Sequence, residues 1–290
     1  MPIKTSNTPK IIFHSGLGNQ IFQWFFFKHL TLSGISVEPG YVSTLLSESR
    51  KLQVRSLLEA DGFTIKEISS RSFYISSLMS RINRCHDFFS HPILDYRAFP
   101  FSTPEQERVL RSKMLLGYFQ DISLVEKEAT RVLPTLESYL QSIELVVNLA
   151  PYKDYNLVHV RRGDLQTTAN SKKYGILSRD YYMRLEINNN YPTLVTTDDL
   201  EYANYISEKM NVARVYGPRE INAWQTLKLM SKARNLYCAN STLSLWASFL
   251  VLALGGSVYC PYPFFRDAEM ESAAAFRPKG AYLLPSSFSD

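Results

Sequence analysis

From Leu157 onward the sequence repeats one unit: a short apolar run of strand length, a polar break, then a longer segment of helical periodicity. Segments 157–161, 193–197, 212–216, 236–239 and 257–260 have strand character, the last expected to be stopped by Pro261. Segments 178–188, 198–210, 221–233 and 241–254 have helix character. Strands alternating with helices build a parallel, doubly wound sheet. Such a sheet binds ligands outside the carboxyl ends of its strands.

The first half is less regular. Residues 11–14 form an apolar run that ends in Gly16-Leu17-Gly18-Asn19-Gln20, and a helical pattern of Phe22, Trp24, Phe25, Phe26 and Leu30 follows. This is a strand–turn–helix unit. Residues 40–100 carry no clear period. Thr103-Pro104-Glu105-Gln106 has the signature of a helix start: a cap residue, Pro at the first position and a capping-box Gln. Segment 114–119 is expected to be a buried strand, Asp121 a helix cap, and 136–149 a helix stopped by Pro151. The expected division is an N-terminal α/β domain over 1–150 and a C-terminal α/β domain over 151–290, whose tail could pack back on the first.

Four polar segments fall at strand ends: Gly16–Gln20, His159–Asp164, Thr196–Asp199 and Asn240–Thr242. Arg161 and Arg162 stand at the mouth of a buried strand, where paired guanidinium groups are costly unless they meet an anion. Guanidinium grips phosphate oxygens through two parallel hydrogen bonds and can offset charge on a departing diphosphate. The competing explanation is an internal salt bridge, such as Arg162 to Asp164. Asn240-Ser241-Thr242 opens a helix, as a cap and as a place for a phosphate. Asp198 and Asp199 either cap a helix or meet a base or ribose. No His or third carboxylate supports them at metal-ligand spacing, so no metal is expected.

Gly16-Leu17-Gly18 invites a dinucleotide fingerprint with Glu38 as the ribose acid, but Ile21 occupies the third glycine position. Asn19 and Gln20 offer uncharged hydrogen bonds suited to sugar hydroxyls. An NAD-dependent oxidoreductase and a non-enzymatic sugar- or nucleotide-binding module are the alternatives to a transferase.

Composition narrows the partners. The formal charge of +5 suits anionic ligands, while no dense run of Lys or Arg argues for nucleic acid. The cysteines, Cys85, Cys238 and Cys260, are odd in number and lack C-x-x-C spacing, which favours free thiols in a reducing compartment. No secretory signal opens the chain, and no apolar run is long enough to span a bilayer. A cytoplasmic protein is expected, with peripheral attachment to the inner face of the membrane open to it through a lipid-linked acceptor.

The sequence resembles the bacterial α-1,2-fucosyltransferases of glycosyltransferase family 11. The resemblance is carried by Gly16–Gln23, Gly117-Tyr118-Phe119-Gln120-Asp121, His159–Asp164, Thr197-Asp198-Asp199, Leu229-Met230-Ser231 and Asn240-Ser241-Thr242 with Ser244 and Trp246, in family order. It implies a GT-B fold, two Rossmann-like α/β domains facing a central cleft, with the donor in the C-terminal domain and much of the acceptor site in the N-terminal one. It also implies inverting, metal-independent transfer of L-fucose from GDP-fucose, without a cofactor, to a glycan hydroxyl such as the 2-OH of a β-galactoside. By the same resemblance Arg161 would bind the β-phosphate with Arg162 in support, and His159, Asp198 and Asp199 would lie near the nucleoside. Ser241 and Thr242 would hold phosphate, with Asn240 beside them in the donor site, Asn19 would face the reacting sugar, with Gln20 in the same cleft, and Asp164 is the nearest candidate base. Where the family often carries an acid before Leu229-Met230-Ser231, this chain has Thr226.

Overall fold

In a computed structural model the protein is described over residues 8–46, 51–82, 93–97, 100–208, 210–274 and 276–289. Cys85 lies outside the described residues, as does part of the aperiodic 40–100 stretch. The chain forms two compact units, Met1–Leu136 and Glu137–Asp290.

The first unit holds a parallel sheet of β1 (Lys10–Phe13), β2 (Glu38–Tyr41), β3 (Lys66–Glu67), β4 (Ile93–Asp95) and β5 (Met114–Leu116) in the order β3-β2-β1-β5-β4. Helix α1 (Leu17–Leu32) follows β1, with Gly16 as its N-cap. Phe22, Trp24, Phe25, Phe26 and Phe27 are all buried, so this helix is apolar well beyond one stripe. Two helices, α2 (Arg55–Ala60) and α3 (Ser70–Ile82), occupy the stretch without sequence period, together with β3. Ile12, Val42, Phe73, Ile93, Met114 and Leu116 form a core cluster on the sheet.

Several expectations for this region need correction. The Thr103 cap is displaced: α4 (Gln106–Leu110) begins from Glu105, while Thr103 Oγ1 donates to Asp121 Oδ2 at 3.3 Å. The helix expected over 136–149 is the end of a longer one, α5 (Ile122–Ser142), which carries Pro134 within it. Asp121 does cap it, accepting from Leu124 N at 3.0 Å. The boundary falls at Leu136/Glu137 rather than near 150 because the later residues bond within the second unit. Lys228 Nζ reaches the Gln141 carbonyl at 3.0 Å and also the Ile143 carbonyl. Tyr139 packs edge-on against Trp224 at 4.8 Å.

The second unit holds β6 (Asn156–Val160), β7 (Thr193–Thr197), β8 (Val212–Tyr216), β9 (Asn235–Tyr237), β10 (Ser257–Tyr262) and β11 (Tyr282–Pro285), ordered β11-β10-β9-β6-β7-β8 and parallel throughout. Every residue of β6 and β7 is buried, as expected of strands covered on both faces. Between them run α6 (Thr168–Lys173) and α7 (Arg179–Met183). Helices α8 (Leu200–Ser207), α9 (Ala223–Ser231), α10 (Thr242–Ala253) and α11 (Ala268–Ala274) follow. Pro261 does not stop its strand: it pairs with Leu284 inside β10, where β11 continues the sheet. The tail residues thus join this unit's own sheet, and Phe288 bridges to Leu177. Cys238 and Cys260 are buried free thiols. Among the described residues no helix is long and apolar enough to cross a membrane.

The order of strands sets the place of the site. From β6 the chain moves outward to β7 and β8, then returns to β9 on the other side of β6. The crevice at the carboxyl ends of β6 and β9 is therefore a topological switch point.

Candidate active site

Three loops meet around that switch point. One follows β6 and carries Arg161, Arg162, Gly163 and Asp164. One follows β7 and carries Asp198 and Asp199. One follows β9 and carries Asn240 and Ser241.

Asp198 is the hub of the first two loops. Its Oδ1 accepts from the Arg162 amide at 2.7 Å, and its Oδ2 pairs with Arg161 Nε at 3.0 Å. Asp164 takes a second nitrogen of Arg161. Arg161 is therefore oriented by two carboxylates, yet 32% of its side chain stays exposed. The loop passes so close to Asp198 that a Cβ at residue 163 would run into its carboxylate, and glycine is the residue that fits.

Arg162 points elsewhere. Its guanidinium lies 3.8 Å over the Tyr202 ring, and its Nε pairs with Asp199 Oδ2 at 3.2 Å. Asp199 also caps α8, accepting from Tyr202 N at 3.1 Å, and takes Gln166 Nε2 at 3.1 Å. The internal salt bridge anticipated between Arg162 and Asp164 is absent among the described contacts: Arg161 engages Asp164 and Arg162 engages Asp199. The two arginines thus divide their work. Arg162 is a stacked, bonded strut, while Arg161 is the more exposed of the two.

His159, on the last turn of the pleat in β6, is only 4% exposed. Its Nδ1 bonds Ser244 Oγ on α10, tying the strand to the helix. Burial, with the Arg161 charge adding to it, pushes its pKa down to about 3, so the ring is neutral at physiological pH. It stands near the end of β6, two residues before Arg161.

Ser241 is the N-cap of α10 and accepts from Leu243 N at 3.2 Å, with Thr242 next to it and half-buried. Asn240 is committed differently from expectation. Its Nδ2 donates to the Tyr174 and Gly175 carbonyls at 3.1 and 3.0 Å, and its buried Oδ1 is an acceptor without a hydrogen bond. An acceptor does not hold a phosphate oxygen, so Asn240 is suited to anchoring the 163–175 segment. That segment is anchored again where Asn170 Nδ2 donates to the Asp164 carbonyl at 2.8 Å.

In the first unit, Gln20 is fully buried and its amide is saturated. It donates to the Ser15 and Lys51 carbonyls at 2.7 and 3.0 Å and accepts from Gln53 N and Val54 N at 2.9 and 3.0 Å. The expectation that Gln20 binds sugar hydroxyls is corrected accordingly. Asn19 is half-buried, its Oδ1 accepting from Gln120 Nε2 at 2.7 Å.

Sequence reasoning left out Tyr202, the platform under Arg162, and the joint role of Gly163 and Asp198. Tyr202 stands three residues after Asp199, so the cap pattern was its only signal. Nothing in a single sequence places Asp198 beneath Gly163, since 35 positions separate them.

Residues 93–284 match the model of glycosyl transferase family 11. The chain belongs to that family. It is 32% identical to an alpha-1,2-colitosyltransferase of Escherichia coli, over 89% of this chain and 92% of the relative. It is 25% identical to an O-antigen biosynthesis glycosyltransferase, WbnK, of the same species, over 81% and 87%. Among solved structures, E. coli heptosyltransferase WaaC with ADP aligns with a TM-score of 0.52 at 8% identity, over 96% of this chain and 93% of that one. This likeness concerns the fold, which is of the GT-B type. As a family 11 glycosyltransferase the chain uses a nucleotide-sugar donor and a glycan acceptor. Family membership sets aside the dehydrogenase and binding-module alternatives.

Proposed function

We propose that this family 11 glycosyltransferase moves L-fucose from GDP-fucose, with inversion and without a metal, to the 2-hydroxyl of a β-galactoside in a surface polysaccharide. The observation that carries the proposal is the half-open guanidinium of Arg161, oriented by Asp164 and Asp198 at the switch point beside the α10 N-terminus. That is where a diphosphate leaving group fits the chemistry of the donor set.

The reaction is one displacement. The acceptor oxygen bonds to the fucose anomeric carbon as the bond from that carbon to the GDP phosphate oxygen breaks. The acceptor proton leaves to a base or to solvent, and GDP departs with the electron pair. The sugar passes through an oxocarbenium-like state, so stabilising the departing diphosphate lowers the barrier. Arg161 supplies that charge, with Ser241, Thr242 and the first amides of α10 beside it. Asp164, the base candidate from sequence, is bonded to Arg161, and in this proposal its work is to hold that side chain.

The relative named for colitose, the 3-deoxy counterpart of fucose, favours one second donor, GDP-colitose. The O-antigen relative also supports a surface-polysaccharide acceptor, in this proposal met in the cytoplasm at the inner face of the membrane on a lipid-linked glycan. The test is GDP release from GDP-fucose and GDP-colitose, with lactose as acceptor and EDTA present, followed by NMR of the product linkage. A product joined elsewhere than O2 of galactose, or turnover that stops with EDTA, contradicts the proposal. So does a protein that releases GDP from neither donor.

A further inference from the structure

Helix α6 is a weak element next to the reacting groups. It has six residues and none of them is buried, so neither its length nor an apolar face fixes its position. Yet it holds the loop after β6. Asn170 Nδ2 donates to the Asp164 carbonyl at 2.8 Å, and Thr167 Oγ1 donates to the same oxygen at 3.3 Å. The Asp164 carboxylate in turn holds Arg161. Whatever fixes α6 therefore helps to set the angle of that guanidinium.

The far end of α6 is fixed from three directions. Asn240 Nδ2 donates to the Tyr174 and Gly175 carbonyls, as described above. In the loop after β10, Arg266 N donates to the Tyr174 carbonyl at 3.2 Å and Asp267 N to the Lys173 carbonyl at 3.1 Å. The third hold is segment 286–289, which runs antiparallel to 176–178 with Phe288 opposite Leu177. Ser178 N donates to the Ser287 carbonyl and Ser289 N to the Ile176 carbonyl, both at 2.8 Å, and the Ser178 and Ser287 hydroxyls bond at 2.6 Å.

This segment is itself tied down at both ends. Ser286 N donates to the Tyr262 carbonyl at 2.9 Å and Ser286 Oγ to the Pro263 carbonyl at 2.6 Å, while Arg266 Nη1 donates to the Ser289 carbonyl at 2.9 Å. Phe288 is its wedge. The ring packs against the core cluster that holds Leu177 and Tyr181. It also lies over Gly175, where φ is +79° and a Cβ would run into the ring. Glycine is thus required there twice, by the backbone conformation and by the approach of Phe288.

We propose that segment 286–289 is a positioning strap for the donor site: Phe288, through Gly175 and α6, keeps Asp164 in place and so aims Arg161 at the departing diphosphate. The proposal rests on the proposed function in one respect, that Arg161 meets the leaving group. Phe288 acts through other residues and is a positioning residue. Its effect falls on the chemical step, because the charge on the diphosphate is largest in the transition state and a misaimed guanidinium costs kcat more than binding.

The experiment uses the full chain with GDP-fucose, GDP-colitose and lactose, and the variants Phe288→Ala, Phe288→Tyr, Arg161→Ala and the double variant Phe288→Ala/Arg161→Ala. Phe288→Ala is expected to lower kcat for GDP release 10-fold or more, with the donor KM within threefold of wild type. Phe288→Tyr, which keeps the ring, should restore kcat to within threefold. In the Arg161→Ala background, Phe288→Ala should cost less than a further twofold, because residues that act through one another are not additive. Hydrogen exchange over 163–175 should quicken at least 10-fold in Phe288→Ala. The proposal is overturned if folded Phe288→Ala keeps kcat within twofold of wild type, or if its loss is the same in both backgrounds. Should Phe288→Ala not fold, Asn170→Ala, at the other end of the relay, takes its place. The same loss of kcat and the same lack of additivity are expected, and a kcat within twofold of wild type overturns the proposal. If the wild type releases GDP from neither donor, or Arg161→Ala turns over normally, the donor reading fails. Exchange in the strap variant then decides the strap alone, and unchanged rates over 163–175 overturn it.

Discussion

Arg161 and Arg162 are neighbours in sequence, and a sequence gives no reason to rank them. Their surroundings do. Arg162 is spent on Tyr202 and Asp199, whereas Arg161 is the more exposed of the two. Arg161→Ala is therefore expected to cost about 3 kcal/mol of transition-state stabilisation, roughly a hundredfold or more in kcat/KM, as when a single oxyanion donor is removed. GDP release under single-turnover conditions measures it, and near-normal turnover would contradict the role of Arg161. Gly163→Ala makes a sharper test of the hub. The added methyl must displace the Asp198 carboxylate, which holds both the Arg162 amide and Arg161 Nε. Activity should fall at least 10-fold, while the melting temperature moves by only a few degrees. An active Gly163→Ala enzyme would show that Asp198 does not position Arg161. His159 and His14 carry a pH consequence. Burial is the chief cause in both, lowering the first to about 3 and the second to about 4 from 6.5. Each is neutral when folded and takes up a proton when unfolded. Their contribution is present above pH 6.5 and is lost as pH falls toward the folded values. At pH 5 each costs about 2 kcal/mol, by the linkage of one pKa unit to about 1.4 kcal/mol. Denaturant melts at pH 7 and pH 5 check the sum, and His159→Asn should flatten the dependence.

At the scale of elements, legibility followed how local the signal was. The limits of β7 and β8 were readable as they stand, since each is a short apolar run closed by a polar break. The α10 start was also readable, because Asn240-Ser241-Thr242 is a cap pattern whose bonds lie within three residues. Ser241→Ala should accordingly cost about 1 kcal/mol, the usual worth of such a cap, read as a lower unfolding midpoint. Helix α5 runs through Pro134, because packing on either side outweighs one missing amide hydrogen bond. One proline signal misled. Pro261 reads as a stop, yet β10 continues to Tyr262 with β11 beside it. The stretch holding α2, β3 and α3 was illegible for a different reason. Two of its elements are short, α2 having six residues and β3 two, so no period could repeat in them. The candidate site divides the same way. His159, Arg161 and Ser241 were visible as residues at strand ends. That His159 is buried against Ser244, and that Gln20 is saturated by loop backbone, depend on contacts 85 and 31 to 34 positions apart.

For the whole molecule, the two units share one plan: each is a parallel sheet whose strand order reverses at a central strand, and each gathers polar residues at that reversal. Duplication of the plan is not duplication of the chemistry. The second unit places a partly exposed guanidinium held by carboxylates and a helix N-terminus at its switch point, and the first places an exposed ion pair and an aromatic ring at its own. A nucleoside diphosphate should therefore act on one unit only. GDP at 100 times its dissociation constant is expected to stabilise the protein by about 2.7 kcal/mol through mass action, unchanged by EDTA, while NAD gives no shift. Hydrogen exchange then locates the effect. Protection on adding GDP should concentrate at 159–164, 198–202 and 240–244, because those loops lose their freedom when the diphosphate settles between Arg161 and the α10 N-terminus. The loops after β1, β4 and β5 should exchange as before. GDP protection centred on residues 14–20 and 95–120 instead would mean that charge at the strand ends does not choose the ligand, and the assignment of donor chemistry to the second unit would fall.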